Sequence, residues 1–415
     1  MRHGGLANAE ESPQQRTARV LRTQGQHCQQ MGSPLYAGLL RLAADDLLAG
    51  GPTAAVLDGH LTDPGRSALA LRMLGGVHAL VLTGRAAELA AFYPSVGGEA
   101  DAGEGARLAW PAFRKTLDQH RDEIRDWLRH PPQTNEVGRG AALAGALCHL
   151  VADVDRPVRL VEIGASAGLN LRADRFWISG AGVSYGDESS PVRMPGAWRG
   201  QPPPVRPVHV IMRTGGDLAP VDPASDMGRL MLSAYVWADQ VERMERLRGA
   251  CQLAAKIPAD VRQEPASATI ARIKPEPGTW TVLWHSIMQQ YLNPEQIAEV
   301  NERVAGLGAA ATESARFAHV TLELIRATPD TPVEMTTWPG GVQRRLATAP
   351  PHGIPVTWKA QTGSRTLLCA PRGKRAAHGS GSIRVDDARQ QPVPADDDHQ
   401  LDELIIAEPG GERFP

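Results

Sequence analysis

Apolar residues recur three and four apart through the first third of the chain and fall into short β-branched runs after it. From Gln15 to about Asp155 the pattern predicts helices only. Segment 34–50 carries an apolar stripe, with Ser33 placed as N-cap and Gly50-Gly51 as a stop. Segment 66–93 is largely apolar and predicts one broken or two buried helices, and 110–130 is amphipathic up to Pro131-Pro132, which cannot continue a helix. Segment 138–154 is nearly all small or apolar and predicts a packed helix. At Arg156 the period changes. Segment 157–176 reads as strand, glycine turn and helix, and 183–187 as a second short strand. The Pro-rich stretch 191–207 reads as an irregular insertion. Strands are predicted in 208–222, 259–267, 280–292 and 317–325, with helices over 226–255 and 293–308, the latter capped by Asn293 with Pro294 at its first position. Segment 333–359 predicts a hairpin around Pro339-Gly340-Gly341. Strands alternating with helices predict an α/β fold with a mostly parallel sheet covered on both faces. The resulting division is a disordered 1–14, a helical unit 15–155 that caps the rest, an α/β unit 156–359 and a polar, largely disordered tail 360–415, in which 401–408 could dock as a short helix.

Composition narrows the function. The 415 residues carry 44 basic and 46 acidic side chains, a net charge of −2, so there is no basic excess with which to grip nucleic acid phosphates. No apolar run approaches the ~18 residues of a membrane span, and the N-terminus has no apolar core like that of a signal peptide. Four cysteines, Cys28, Cys148, Cys251 and Cys369, lie far apart without a C-x-x-C, which argues against zinc ribbons and disulfide scaffolds. The expectation is a cytoplasmic protein that acts on a small molecule, touches neither nucleic acid nor membrane and holds no metal, with a homodimer as one possible state. The acidic run Asp396-Asp397-Asp398-His399 reads as a solvated tail.

Candidate chemistry begins at Glu162-Ile163-Gly164-Ala165-Ser166-Ala167-Gly168-Leu169-Asn170. A buried strand feeds a turn of small residues, where backbone can approach a ligand closely and a following helix would offer free N–H groups. No Lys-Ser/Thr pair follows, and the third glycine of the dinucleotide fingerprint is missing. The segment resembles the first motif of class I S-adenosylmethionine-dependent methyltransferases, whose loop wraps the amino acid end of the cofactor. It also fits the G-x-S-x-G elbow of serine hydrolases literally, with Ser166 as nucleophile and His285, His319 or His352 as partner. A third alternative is a non-catalytic protein of the same fold.

The methyltransferase resemblance implies roles residue by residue. S-adenosyl-L-methionine would lie on Gly164, Ala165, Ser166, Gly168 and Asn170, with Glu162 holding its ammonium group. An acid at the end of the next strand, Asp187 or Glu188, would accept the ribose hydroxyls, and Glu264 would stand near the adenine. His285 is either a general base, suited by an imidazole pKa near 6.5, or a satisfied core histidine, and Tyr291 could orient a substrate. The polar run 133–139 (QTNEVGR) reads either as a capped loop with a surface ion pair or as a ligand-facing lid that offers Glu136 as a second base and Asn135 and Arg139 as substrate contacts, with Asp217 on the Gly-Asp-Leu-x-Pro turn as a further one.

Eight runs together carry a longer resemblance. They are QTNEVGR, LVEIGASAGLNL, ESSPV, the 216–220 turn, VWADQVERMERLRGA, WHSIMQQYL and the closing WPGG and PHG. Across about residues 30–360 they resemble one bacterial family defined by a domain of unknown function. The resemblance departs at Gln263-Glu264, where the family pattern has Gly-Asp, and beyond Lys359.

Overall fold

The computed structural model describes residues 11–64, 67–325, 331–360 and 365–366. The helical segment begins at Pro13, two residues before the expected Gln15, because Ser12 and Gln15 close a capping box around it. Helices α1 (Pro13–Gln30), α2 (Pro34–Leu48), α3 (Pro52–Leu57), α4 (Leu69–Leu82), α5 (Ala87–Ala90), α6 (Gly105–Gln119) and α7 (Arg121–Trp127) pack around one apolar cluster of their own, built from residues such as Leu39, Leu74 and Phe113.

The next helix, α8 (Gly140–Asp153), is almost wholly buried and belongs to a different cluster, the one that covers the sheet. Within the 15–155 span, α8 thus packs with the sheet and not with the preceding helices. From α8 the chain enters β1 (Val158–Ile163), β2 (Trp177–Gly180), β3 (Val183–Tyr185), β4 (Arg193–Gly200) and β5 (Val210–Asp217). It continues through α9 (Asp226–Ala234), α10 (Val241–Lys256), β6 (Asp260–Gln263), α11 (Ala266–Ala271), β7 (Trp280–Ser286) and α12 (Pro294–Ala310). The last elements are β8 (Arg316–Leu322), β9 (Thr331–Trp338), β10 (Val342–Ala349), β11 (Val356–Trp358) and β12 (Arg365–Thr366). The rest of the expected disordered tail, the 401–408 segment and the acidic run at 396–399 lie outside the described residues.

Among the described residues the strands form one mixed sheet in the order β3-β2-β4-β11-β10-β9-β8-β7-β1-β5-β6, with β12 on β10. Its parallel run is β6-β5-β1-β7-β8. Numbered along the chain, those five strands stand in the order 3-2-1-4-5. The winding therefore reverses between β1 and β7, and a crevice forms outside their carboxyl ends. Side chains alternate along β1: Val158 and Leu160 enter the core under α8 and α10, while Val161 and Ile163 enter the core on the other face, under α11 and α12. Glu162 shares the face of Val158 and Leu160.

Two local expectations change. The Pro-rich 191–207 stretch contains β4, whose bulge opposite Ile178–Gly180 accommodates Pro195-Gly196. The helix expected after Gly168 is a 3-10 turn, Leu169–Arg175, broken at Arg172. A full helix dipole therefore does not point at the glycine loop.

The helical unit is clasped onto the α/β unit by the turn between α9 and α10. The Ser95 amide donates to the Ala238 carbonyl (2.8 Å), the Leu35 amide to Asp239 (3.0 Å) and the Gln240 side chain to the Met31 carbonyl (2.8 Å). Cys28, Cys148 and Cys251 are buried free thiols, pushed up by burial to about 12, 11 and 11 respectively. Among the described residues no helix is long and apolar enough to cross a membrane.

Candidate functional site

The site forms where β1, β5 and β7 end together. Gly164, Ser166 and Gly168 alternate in the left-handed region, with φ of 65°, 49° and 63°. Ile287, just after β7, is left-handed as well, at 49°. A β-branched residue there is strained, and strain of this kind concentrates at ligand sites. A Cβ on Gly168 would stand 2.7 Å from Val261 Cγ2. Gly168→Ala is expected to cost at least about 1–2 kcal/mol from the left-handed backbone alone, measured as a lower midpoint in urea.

Glu162 lies under this loop, opposite Gly215 of β5 and Trp284 of β7. It is buried, and its Oε2 has no hydrogen-bond partner among the described residues. Burial pushes its carboxyl from 4.5 up to about 8, although Trp284, Arg172 and Arg139 pull the other way.

The loop amides point at acceptors from the chain itself. The Ala165 amide donates to the Gly216 carbonyl (3.2 Å), the Ser166 amide to Asp217 Oδ2 (2.8 Å) and the Leu169 amide to Asn135 Oδ1 (2.8 Å). Ser166 Oγ donates to Gln133 Oε1 (3.2 Å), and Asn170 Nδ2 to the Glu136 carbonyl (3.2 Å), leaving Asn170 Oδ1 buried without a partner among the described residues. The predicted lid, 133–139, thus lies directly on the glycine loop.

Other predicted residues fall elsewhere. Asp187 is exposed in the turn after β3, the outermost strand, where its carboxylate accepts the Ser189 amide (2.8 Å). It cannot reach the loop. The acid at the end of the strand beside β1 is Asp217, because the chain visits the far edge of the sheet before returning to β5. Glu264 follows β6, but its carboxylate is held by Thr269 (2.9 Å) and by Arg272.

His285 has the geometry of a satisfied core histidine. Its ring is fully buried, with Nδ1 2.6 Å from Glu323 Oε1 and Nε2 2.9 Å from His319 Nε2. Neither nitrogen is free to take a proton from a substrate. Tyr291 stands on the 3-10 turn after β7, its hydroxyl accepting from Gln290 (2.5 Å).

Glu136 and Arg139 join residues that the pattern did not single out. Glu136 pairs with Arg243 of α10 at 2.6 Å. Burial alone would push its carboxyl up, and Arg243, aided by His352 and Arg246, instead pulls it down to about 2. Arg139 donates to the carbonyls of Pro351 (3.0 Å) and Ser286 (3.3 Å). The usable sequence signal was the pair Arg243 and Arg246, three apart and hence on one face of α10.

QTNEVGR, the glycine loop, α10 and the PHG turn lie in contact and build one place. The chain belongs to the DUF2332 family. That family is described as an uncharacterized protein conserved in bacteria, and its model matches residues 18–358. No curated protein and no solved structure matches the chain. The DUF2332 match runs from within α1 to the last residue of β11, so it includes the glycine loop and residues 133–139.

Proposed function

We propose that the chain is an S-adenosylmethionine-dependent methyltransferase acting on a small molecule, with the class I, Rossmann-like arrangement over β1, β5–β8 and their helices. The supporting observation is Glu162, a buried carboxylate with an orphan oxygen under a glycine loop at the point where the sheet winding reverses. An orphaned buried oxygen is costly unless a donor completes it, and an ammonium group would do so.

The remaining residues fit the cofactor in kind. The Ser166 and Leu169 amides suit the oxygens of a carboxylate, since Asp217 and Asn135 oxygens occupy those positions now. Asp187 lies too far away to take part, and Asp217 is the acid beside the loop. Glu264, the acid expected near the adenine, is committed to Arg272 and Thr269. When bound, the cofactor supplies a methyl group already activated by its sulfonium charge.

The chain then positions and excludes water rather than removing a proton, because His285 is tied at both nitrogens and Glu136 is held ionised by Arg243. An acceptor that ionises on its own fits this machinery. The hydrolase alternative loses ground, because the Ser166 hydroxyl faces Gln133 and no histidine bonds to it among the described residues.

Calorimetric titration of the whole chain with S-adenosylmethionine is expected to give saturable heat, with affinity weakened in Glu162→Gln. Absence of both heat and a shift in Tm at millimolar cofactor would overturn the reading.

A further inference from the structure

Strands β7, β8 and β9 carry a group of polar side chains on the face of the sheet that holds Ile163, opposite to the face of Glu162. His285 alternates with Trp284, which packs with Val158 and Leu160, so its ring lies on this second face with Leu283. Across the β8–β9 register His319 stands opposite Thr336, and Thr321 opposite Glu334. Together with Glu323 these four line a cavity of about 270 Å³. That is below the range for drug-sized ligands and suits a small polar molecule.

A chain of hydrogen bonds decides what the cavity presents. Glu323 Oε1 lies 2.6 Å from His285 Nδ1 and accepts the Met288 amide (3.2 Å), while Oε2 accepts the Gln289 amide (3.3 Å). With three donors around it Glu323 acts as an ionised carboxylate, which only accepts, so the proton sits on His285 Nδ1. In that neutral ring Nε2 is an acceptor, and the proton across its 2.9 Å contact with His319 Nε2 belongs to His319. Burial and the neighbouring His285 hold the His319 imidazole well below its usual range, so this ring is neutral as well. Its one proton is engaged by His285. Nδ1 is therefore a bare lone pair, without a partner among the described residues. His319 is half-buried, and its ring is reached from the cavity.

We propose that this cavity binds a small primary ammonium ligand of the amino-alcohol class. An N–H of the ligand donates to His319 Nδ1, its charge lies near Glu323 and Glu334, and its hydroxyl meets Thr321 or Thr336. Glu334 also pairs with Arg345 (2.8 Å), so the demand for a donor comes from His319, and the carboxylates add attraction for a cation. Glu323 and His285 are positioning residues, since they fix the tautomer that His319 shows. A ligand end that only accepts, such as a carboxylate or phosphate, meets a lone pair there and is rejected. The inference does not rest on methyl transfer, because the cavity lies on the face opposite to Glu162.

The test is an NMR titration of the full chain at pH 8 that reads the histidine ring nitrogens, with ethanolamine, the neutral ethylene glycol and the anionic glycolate as probes. In the free chain His319 should show an unprotonated Nδ1 and His285 a protonated one. Ethanolamine is expected to shift the His319 Nδ1 signal saturably at millimolar concentration. Ethylene glycol should bind at least about tenfold more weakly, and glycolate not at all. His319→Gln keeps a donor for His285 Nε2 but removes the ring Nδ1; it should keep its Tm and weaken ethanolamine by about tenfold in calorimetry. Glu334→Gln, at a partly exposed position, should weaken it by about threefold. A protonated His319 Nδ1, no saturable shift, or equal affinity for ethylene glycol or glycolate would each overturn the proposal. So would a folded His319→Gln chain that binds ethanolamine unchanged. Should that variant fail to fold, Glu334→Gln decides, and unchanged affinity there would overturn the proposal.

Discussion

Affinity for S-adenosylmethionine is expected to rise by about tenfold per pH unit between pH 5 and 7, and Glu162→Gln to flatten that dependence. Glu162 must be ionised to hold an ammonium group, yet burial sets its carboxyl at about 8 in the free chain. Each unit below that value reduces the ionised fraction tenfold, and binding releases the proton. Removing the charge should weaken binding at pH 7.5 by roughly tenfold to a hundredfold, the range for hydrogen bonds to charged groups. Titrations in two buffers of different ionisation heat measure the proton released. An unchanged pH slope in Glu162→Gln would place the titrating group elsewhere.

The same carboxyl affects folding, independently of any ligand. Its folded pKa is raised above the ordinary 4.5, so its contribution is fully present below pH 4.5 and is lost as the pH rises through about 8. The cost reaches on the order of 3–5 kcal/mol at the top of that window. Glu162→Gln should therefore be more stable than the parent at pH 8 and indistinguishable from it near pH 4, as read by urea unfolding.

Arg243→Met is expected to lose about 3–5 kcal/mol of stability at pH 7, because it strands Glu136 as a buried charge. The carboxyl of Glu136 is held at about 2, below its ordinary value, so the stability it contributes is present above pH 4.5 and lost as pH falls toward 2. Adding Glu136→Gln to Arg243→Met should recover a large part of the loss, since the stranded charge is then gone. Strict additivity of the two changes in urea midpoints would show that the pair is not coupled.

Short-range chemistry was legible where a few neighbouring residues decide the backbone. The capping box of Asn293 and Gln296 with Pro294 between them fixes where α12 starts, and those residues are local in sequence. The run from Val158 to Ile163 and the turn through Gly168 were legible for the same reason. The strand β4 was not, because Pro195 and Gly196 conceal a strand that survives by bulging. Nor was the 3-10 turn after Gly168, where Arg172 leaves helical geometry while its guanidinium bonds the Gly168 and Ile257 carbonyls.

The sequence by itself determined the alternation of strands and helices, the glycine turn after β1 and the family. It also marked Glu162 and the 133–139 run as chemically loaded. Only the tertiary structure decided which acid stands beside the loop: Asp217 ends β5 and Asp187 follows β3, but sheet neighbours are set by long-range pairing that no local pattern encodes. It also decided that His285 is locked between Glu323 and His319, and that Arg243 and His352, more than a hundred residues apart, share one cavity with Glu136. Burial and charge balance are properties of what surrounds a side chain, and those surroundings exist only once distant segments pack.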